Sequence, residues 1–345
     1  MKAMILAAGE GTRLRPLTLT LPKPMVPVAN VPLLVRTVRL LKQHGITEIA
    51  MNLYHQGEAI RETLGDGSAF GVRLHYSVET ELMGTAGGTK YMQDFLDETF
   101  LVLYGDNLYR ADFAPLVETH QNSGALVTIA TFTTSNPTAC GLVVTDENGT
   151  VTRFQEKPPA HEVFTDQANA GVYVCDPGIF AYIPVDTVYD FGHDVFPVTL
   201  ADTTHKMVAQ PLTGYLQDTG TVENYRKANW DVLDGETGDP PLAICGMTLG
   251  EDTMVASSAF LDGHNVIGGD CFVAEEVTLT DTILWDGCTI ERGATVTNAI
   301  LGRRVVVGAG AVVGAGAVLA DDVSVAPGAV VPENARIVPG TVIKN

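Results

Sequence analysis

Residues 3–25 read AMILAAGEGTRLRPLTLTLPKPM. An apolar run meets Gly9-x-Gly11, Arg13 follows at once, and Lys23 lies between Pro22 and Pro24. These residue types suit an anion. Glycines let backbone N–H groups approach a phosphate closely. A guanidinium clamps phosphate oxygens in bidentate fashion, and a lysine in a stiff Pro-Lys-Pro segment sets a point charge beside them. Neither common phosphate fingerprint is present. Gly9-x-Gly11-x-x-Leu14 lacks the third glycine of a dinucleotide site, and the Gly-Lys-Ser/Thr of a P-loop is missing. Taken alone, Gly-x-Gly after a strand is equally well a tight turn.

The elements that must hold these residues alternate over residues 1–235. Lys2–Ala8, Glu48–Leu53, Val72–Ser77 and Phe100–Tyr104 read as strands, whereas Leu33–His44, Glu58–Leu64 and Ala86–Phe95 carry apolar residues at helical spacing. Such alternation predicts an α/β domain with a mostly parallel sheet. Ligands of these sheets bind beyond the C-terminal strand ends. Both the glycine loop and Gly105-Asp106 fall at such ends.

From Val255 the rhythm changes. Aliphatic residues recur at every sixth position through Leu261, Ile267, Val273 and Leu279; after a five-residue step come Leu284, Ile290 and Val296. A second five-residue step leads to Leu301, Val307, Val313, Leu319, Val325, Val331, Ile337 and Ile343. This period predicts hexapeptide repeats wound as a left-handed parallel β-helix, about sixteen hexads in roughly five coils. The open edge of its terminal coil asks for a cap or a partner, so a homo-oligomer with β-helix contacts is expected. Asp234–Pro241 (DGETGDPP) reads as linker. The expected domains are 1–235, a linker at 236–250, and a β-helix at 251–345.

Composition narrows the function. A formal net charge of −20 argues against binding a nucleic acid polymer, and any phosphate site must be built from local groups. Its five cysteines form no C-x-x-C and fit a reducing cytoplasm. No apolar run reaches the roughly 18 residues of a membrane span, and the first residues lack a secretory pattern.

The stretch L-A-A-G-E-G-T-R-L-R-P-L-T…P-K-P-M resembles the signature of sugar-1-phosphate nucleotidyltransferases, the NDP-sugar pyrophosphorylases. More of that family's pattern follows in order: Gly84-Thr85-Ala86-Gly87, Gly105-Asp106, Cys140-Gly141, Phe154-Gln155-Glu156-Lys157-Pro158, Asn169-Ala170-Gly171-Val172-Tyr173 and Asp218-Thr219-Gly220-Thr221. Cys140 stands where the family has an aromatic residue. The resemblance implies a Rossmann-like catalytic domain, with the hexad tail of the family's longer branches. It also implies Mg²⁺-dependent transfer of a nucleotidyl group from an NTP to a sugar-1-phosphate, releasing pyrophosphate. By the same resemblance Leu6, Ala8, Gly9, Gly11, Thr12, Gly84 and Thr85 bind the nucleotide, and Arg13 and Lys23 are catalytic. Asp106 and Asp218 hold the metal. Lys157 binds the sugar's phosphate, while Glu156, Asn169 and the Gly141 backbone bind its hydroxyls.

In the resembling enzymes the region of Glu79 reads the base. A carboxylate accepts two hydrogen bonds from guanine but meets acceptors on thymine or uracil, which favours GTP. Tyr189-Asp190-Phe191…Asp194-Val195-Phe196-Pro197 looks most like mannose-1-phosphate guanylyltransferases. A glucose-1-phosphate thymidylyl- or uridylyltransferase is the alternative, and a non-catalytic regulatory subunit is the alternative of another class. His264 is the one histidine of the tail, and no long insertion interrupts the hexads, so a second, acyltransferase activity is not expected.

Overall fold

The computed structural model describes residues 1–238 and 246–345. The expected linker falls partly on 239–245, outside the described residues. The chain forms two compact units: Met1–Gly9 with Arg36–Leu216, and Glu10–Val35 with Gln217–Asn345.

The first unit is built on a mixed sheet. Lys2–Leu6 lies between Phe100–Tyr104 and Glu48–Leu53, parallel to both, and Arg73–Val78 continues the parallel half. Gln167–Cys175 runs antiparallel to Phe100–Tyr104 and joins a half that holds Val127–Thr133, Gly141–Thr145 and Val151–Glu156. Ala3, Met4, Ile5 and Phe100–Leu103 are fully buried, as the continuous apolar runs require of strands covered on both faces. Phe100, Tyr173, Phe191 and Phe196 fill the core beneath. Three expected elements are shorter than their sequence suggested, the helix at 33–44 by its last residue only. The first strand stops at Leu6, because the Ala7 N–H donates to Asn52 Oδ1 at 2.9 Å rather than to a neighbouring strand. The helix expected at 86–95 is Gly84–Lys90, after which Met92 N bonds Thr89 O in a turn.

The second unit carries the expected left-handed parallel β-helix. Its interior residues stack in three ladders. Val255, Val273, Ile290, Val307, Val325 and Ile343 form one. Leu261, Leu279, Val296, Val313 and Val331 form the second. Ile267, Leu284, Leu301, Leu319 and Ile337 form the third, and the exposed Leu249 of the Met247–Leu249 strand pairs with Ile267 at its end. Both five-residue steps fall on corners turned by a left-handed residue, Asp281 (φ 49°) and Asn298 (φ 45°). Each buried aliphatic side chain adds about 1.5–3 kcal/mol over an exposed one, so a sustained register defines the coil. Val222–Asp234, capped at its N-terminus by Thr221 accepting from Asn224 N, packs in this same unit.

Candidate active site

Within the second unit two cations meet one carboxylate. Lys23 Nζ is 3.5 Å from Asp218 Oδ1, and Arg13 Nη1 is 3.9 Å from Asp218 Oδ2. Their surroundings differ: Lys23 is 4% exposed, whereas the Arg13 side chain is 64% exposed. The local chain explains both. Pro22 and Pro24 frame a 3₁₀ turn at Lys23–Met25 that turns the lysine inward. Gly11 has φ 62°, and a Cβ there would stand 2.7 Å from Lys23 Cβ, so only glycine lets the loop close on the lysine. Thr18 Oγ1 locks the loop by donating to Gly11 O at 2.8 Å. A Cβ on Gly220 would meet Arg13 Nη2 at 2.5 Å, and the Gly220 N–H bonds Asp218 Oδ1 at 2.9 Å. The exposed Thr12 opens the Thr12–Leu14 turn that carries Arg13.

Gly9 closes the first segment of the other unit, and a Cβ there would meet nothing within 4 Å. Packing does not demand a glycine at this position. Leu6 O accepts from Gly105 N at 2.9 Å, bringing Ala7–Gly9 beside Asp106 at adjacent strand ends. Asp106 is half-buried, and its charge helps push the Tyr104 and Tyr109 phenols above their ordinary value, burial being the larger cause.

Glu79 meets a different arrangement from a base-facing acid. It is 5% exposed. Its Oε1 accepts from Asn52 Nδ2 at 2.7 Å and its Oε2 from Met83 N at 3.0 Å. Asn52 in turn holds Ala7 N. The carboxylate thus ties the Gly84–Lys90 helix start to the glycine loop, and both oxygens are engaged before any guanine arrives. Asn52 was not anticipated; its signal is a lone amide that follows the apolar run Ile49–Met51. Asp190, in the Tyr189-Asp190-Phe191 motif, accepts from Thr85 Oγ1 at 2.7 Å, Gly192 N at 2.8 Å and His193 N at 3.2 Å. Ala86 N and Gly87 N both bond Tyr189 O at 3.0 Å, and a Cβ on Gly84 would stand 2.5 Å from that same oxygen.

The expected sugar-phosphate residues gather on one side of the same unit. Cβ atoms on Gly141 and Gly192 would stand 2.4 and 2.5 Å from Glu156 Oε2, so the two glycines keep room around that carboxylate. Burial raises the Glu156 carboxyl above its ordinary range, with Lys157 opposing the shift. Lys157 has φ 43°, which ends the strand alternation and lets its Nζ come 3.5 Å from Glu156 Oε1. Asn169 donates to Tyr173 OH at 2.8 Å and accepts from Gly171 N at 2.8 Å.

Among the described residues no group of three His, Cys, Asp or Glu could hold a metal. Asp106 and Asp218, the two expected metal ligands, lie one in each unit. Mg²⁺ commonly takes one or two carboxylates, with waters and substrate phosphate oxygens completing the shell. The donor chemistry therefore fits that ion. In the coil, His264 Nε2 meets Asp234 Oδ1 at 2.9 Å and its ring stacks on Trp230, a tie between helix and coil.

Comparison with known proteins identifies the family and the fold. Residues 2–235 match the family described as nucleotidyl transferase, and residues 245–331 match that described as the EIF2B subunit epsilon LbH domain. A UTP–glucose-1-phosphate uridylyltransferase of Synechocystis is 36% identical, over 87% of this chain and 82% of its own. A mannose-1-phosphate guanylyltransferase of Mycobacterium tuberculosis is 34% identical, over 85% and 82%. A crystal structure of a glucose-1-phosphate thymidylyltransferase, described as putative, from Bacillus anthracis superposes with a TM-score of 0.60 at 27% identity, covering 66% of this chain and 94% of that one. No described helix is long and apolar enough to cross a membrane.

Proposed function

The chain belongs to the nucleotidyl transferase family, and on that premise we propose that it transfers a guanylyl group from GTP to mannose-1-phosphate, giving GDP-mannose and pyrophosphate. The class of activity, a sugar-1-phosphate nucleotidyltransferase, goes with the family. A phosphate oxygen of the sugar-1-phosphate bonds to the α-phosphorus of the NTP, and the bond to the β-phosphate oxygen breaks with its electron pair leaving on pyrophosphate. The nucleophile is already an anion. The chain needs neither a general base nor a covalent intermediate, only positioning and charge compensation.

The observation that carries the reading is the Arg13–Lys23–Asp218 cluster. An exposed guanidinium and a buried ammonium share one carboxylate. Incoming phosphates take over that role, and both cations then offset charge on the departing pyrophosphate. Gly9 supplies bare backbone to the NTP. Lys157 binds the sugar's phosphate, and Glu156, Asn169 and the Gly141 backbone take its hydroxyls. Asp106 and Asp218 hold Mg²⁺. When bound, the ion neutralises phosphate charge and orients the in-line displacement.

The GTP and mannose choice is supported by the guanylyltransferase relatives and by the Tyr189-Asp190-Phe191 segment, which braces Gly84 and Thr85. Glu79 supports it only as a brace, since both its oxygens are engaged. The 36%-identical uridylyltransferase favours a second reading, UTP with glucose-1-phosphate. We place the enzyme in the cytoplasm as a homo-oligomer with β-helix contacts, and the domain division 1–235, 236–250 and 251–345 stays part of this proposal. The test is pyrophosphate release with Mg²⁺ for GTP, UTP, TTP, ATP and CTP against both sugar phosphates. A GTP–mannose-1-phosphate optimum is expected; a UTP or TTP optimum with glucose-1-phosphate overturns the specificity and keeps the mechanism.

A further inference from the structure

The Glu10–Val35 segment, which carries Arg13 and Lys23, belongs to the compact unit that contains the β-helix. Several ties bind it there. Thr20 Oγ1 donates to Asp321 Oδ2 at 2.9 Å. Asn30 Nδ2 donates to Ile267 O at 2.8 Å. Trp285 Nε1 donates to Tyr225 OH at 2.9 Å, and that hydroxyl donates to Pro27 O at 2.5 Å. Asn229 Oδ1 accepts from Ala29 N at 2.8 Å.

The Thr20 tie differs from the others in its place and its chemistry. It falls between Arg13 and Lys23, whereas the rest follow Lys23. Asp321 is 1% exposed and ion-paired with Arg303, whose Nη2 lies 2.6 Å from Oδ2. Arg303 Nε donates to Oδ2 at 2.8 Å and its backbone N–H to Oδ1 at 2.8 Å. The carboxylate is therefore already paired within the coil. The Thr20 hydroxyl is an additional donor brought by the loop, and a hydrogen-bonded ion pair around a buried carboxylate is a rigid place to fix it. Loop closure by Thr18 onto Gly11 O carries that fixity back toward Arg13.

We propose that Asp321, held by Arg303, is a positioning residue for nucleotidyl transfer: the β-helix acts through Thr20 to fix the cationic loop. The β-helix then contributes to turnover as well as to assembly. This rests on the function proposed above. A misplacement of about 1 Å in a positioning contact can cost roughly 10²-fold in rate.

The test uses the full chain and the variant Thr20→Val, which removes the hydroxyl and leaves the Asp321–Arg303 pair intact. Pyrophosphate release should show kcat reduced by about 10- to 100-fold, KM for the sugar phosphate changed less than about twofold, and the thermal midpoint nearly unchanged. Thr20→Ser should restore kcat. Asp321→Asn should lower kcat similarly, and combining it with Thr20→Val should add little. Hydrogen exchange of residues 11–25 supplies a readout that needs no turnover, and it should accelerate in Thr20→Val. Wild-type kcat in a folded Thr20→Val chain overturns the proposal, as does unchanged exchange in that segment. A wild-type chain inactive with every substrate pair instead sinks the functional reading, and the exchange result still decides this one.

Discussion

Alanine at Gly11 and alanine at Gly9 should fail in opposite ways. At Gly11 the backbone has φ 62°, and a Cβ would stand 2.7 Å from Lys23 Cβ and 3.1 Å from Thr18 Cγ2. Left-handed backbone costs an L-residue roughly 1–2 kcal/mol. Forcing a methyl against two side chains near their backbone roots adds about 1–3 kcal/mol. The sum, about 2–5 kcal/mol, is a large part of the roughly 5–15 kcal/mol that holds a typical domain. The tightest contact is Lys23 Cβ, so relief moves Lys23 and turnover should fall by about 10²-fold as well. At Gly9 a Cβ meets nothing within 4 Å. Gly9→Ala should leave stability within about 0.5 kcal/mol yet weaken NTP use, because the methyl stands where the phosphates approach. The assay is urea unfolding of each variant beside pyrophosphate release at varied NTP. Equal stability of both variants refutes the packing argument at Gly11. Undiminished kcat/KM for NTP in Gly9→Ala refutes the assignment of that open space to the nucleotide.

Asp106→Asn and Asp218→Asn should each lower pyrophosphate release by about 10²–10³-fold, and wild-type release from either at saturating Mg²⁺ removes that residue from the metal set. Glu79→Gln sets an amide N–H₂ against Asn52 Nδ2 or Met83 N, so it should cost about 1–3 kcal/mol of stability and depress turnover with GTP and UTP alike. A changed GTP/UTP ratio at unchanged stability, from the unfolding and release assays together, would return Glu79 to base reading. Burial raises the Glu156 carboxyl above its ordinary value, so the folded chain keeps a proton there that the unfolded chain has released. This contribution makes stability fall as pH rises through the window just above the ordinary carboxyl range, near 4.3. Urea midpoints across that range should show a shallower decline in Glu156→Gln, and an identical slope contradicts the burial argument.

Sequence alone determined most of the β-helix. From Val255 to Ile343, the residues the hexad period points inward are those that line its ladders. Each coil repeats a local pattern, and one aliphatic residue per side is enough to set the register. The glycine loop, Arg13 and Lys23 stand out in the sequence for a related reason: phosphate chemistry restricts residue type along a short stretch. Strand and helix ends were less legible, because a side chain from another strand decided where the first strand stops. Only the tertiary structure decided which groups Glu79 holds. Its residue type suits base reading, and its partners Asn52 and Met83 suit bracing, but nothing in a lone Glu tells the two apart. The same holds for Thr20 and Asp321, which meet across 301 residues of sequence. Spacing along a chain constrains neighbours within a turn or a coil. Which polar groups satisfy one another once water is excluded depends on how distant segments pack, and there the loop acquired its anchor.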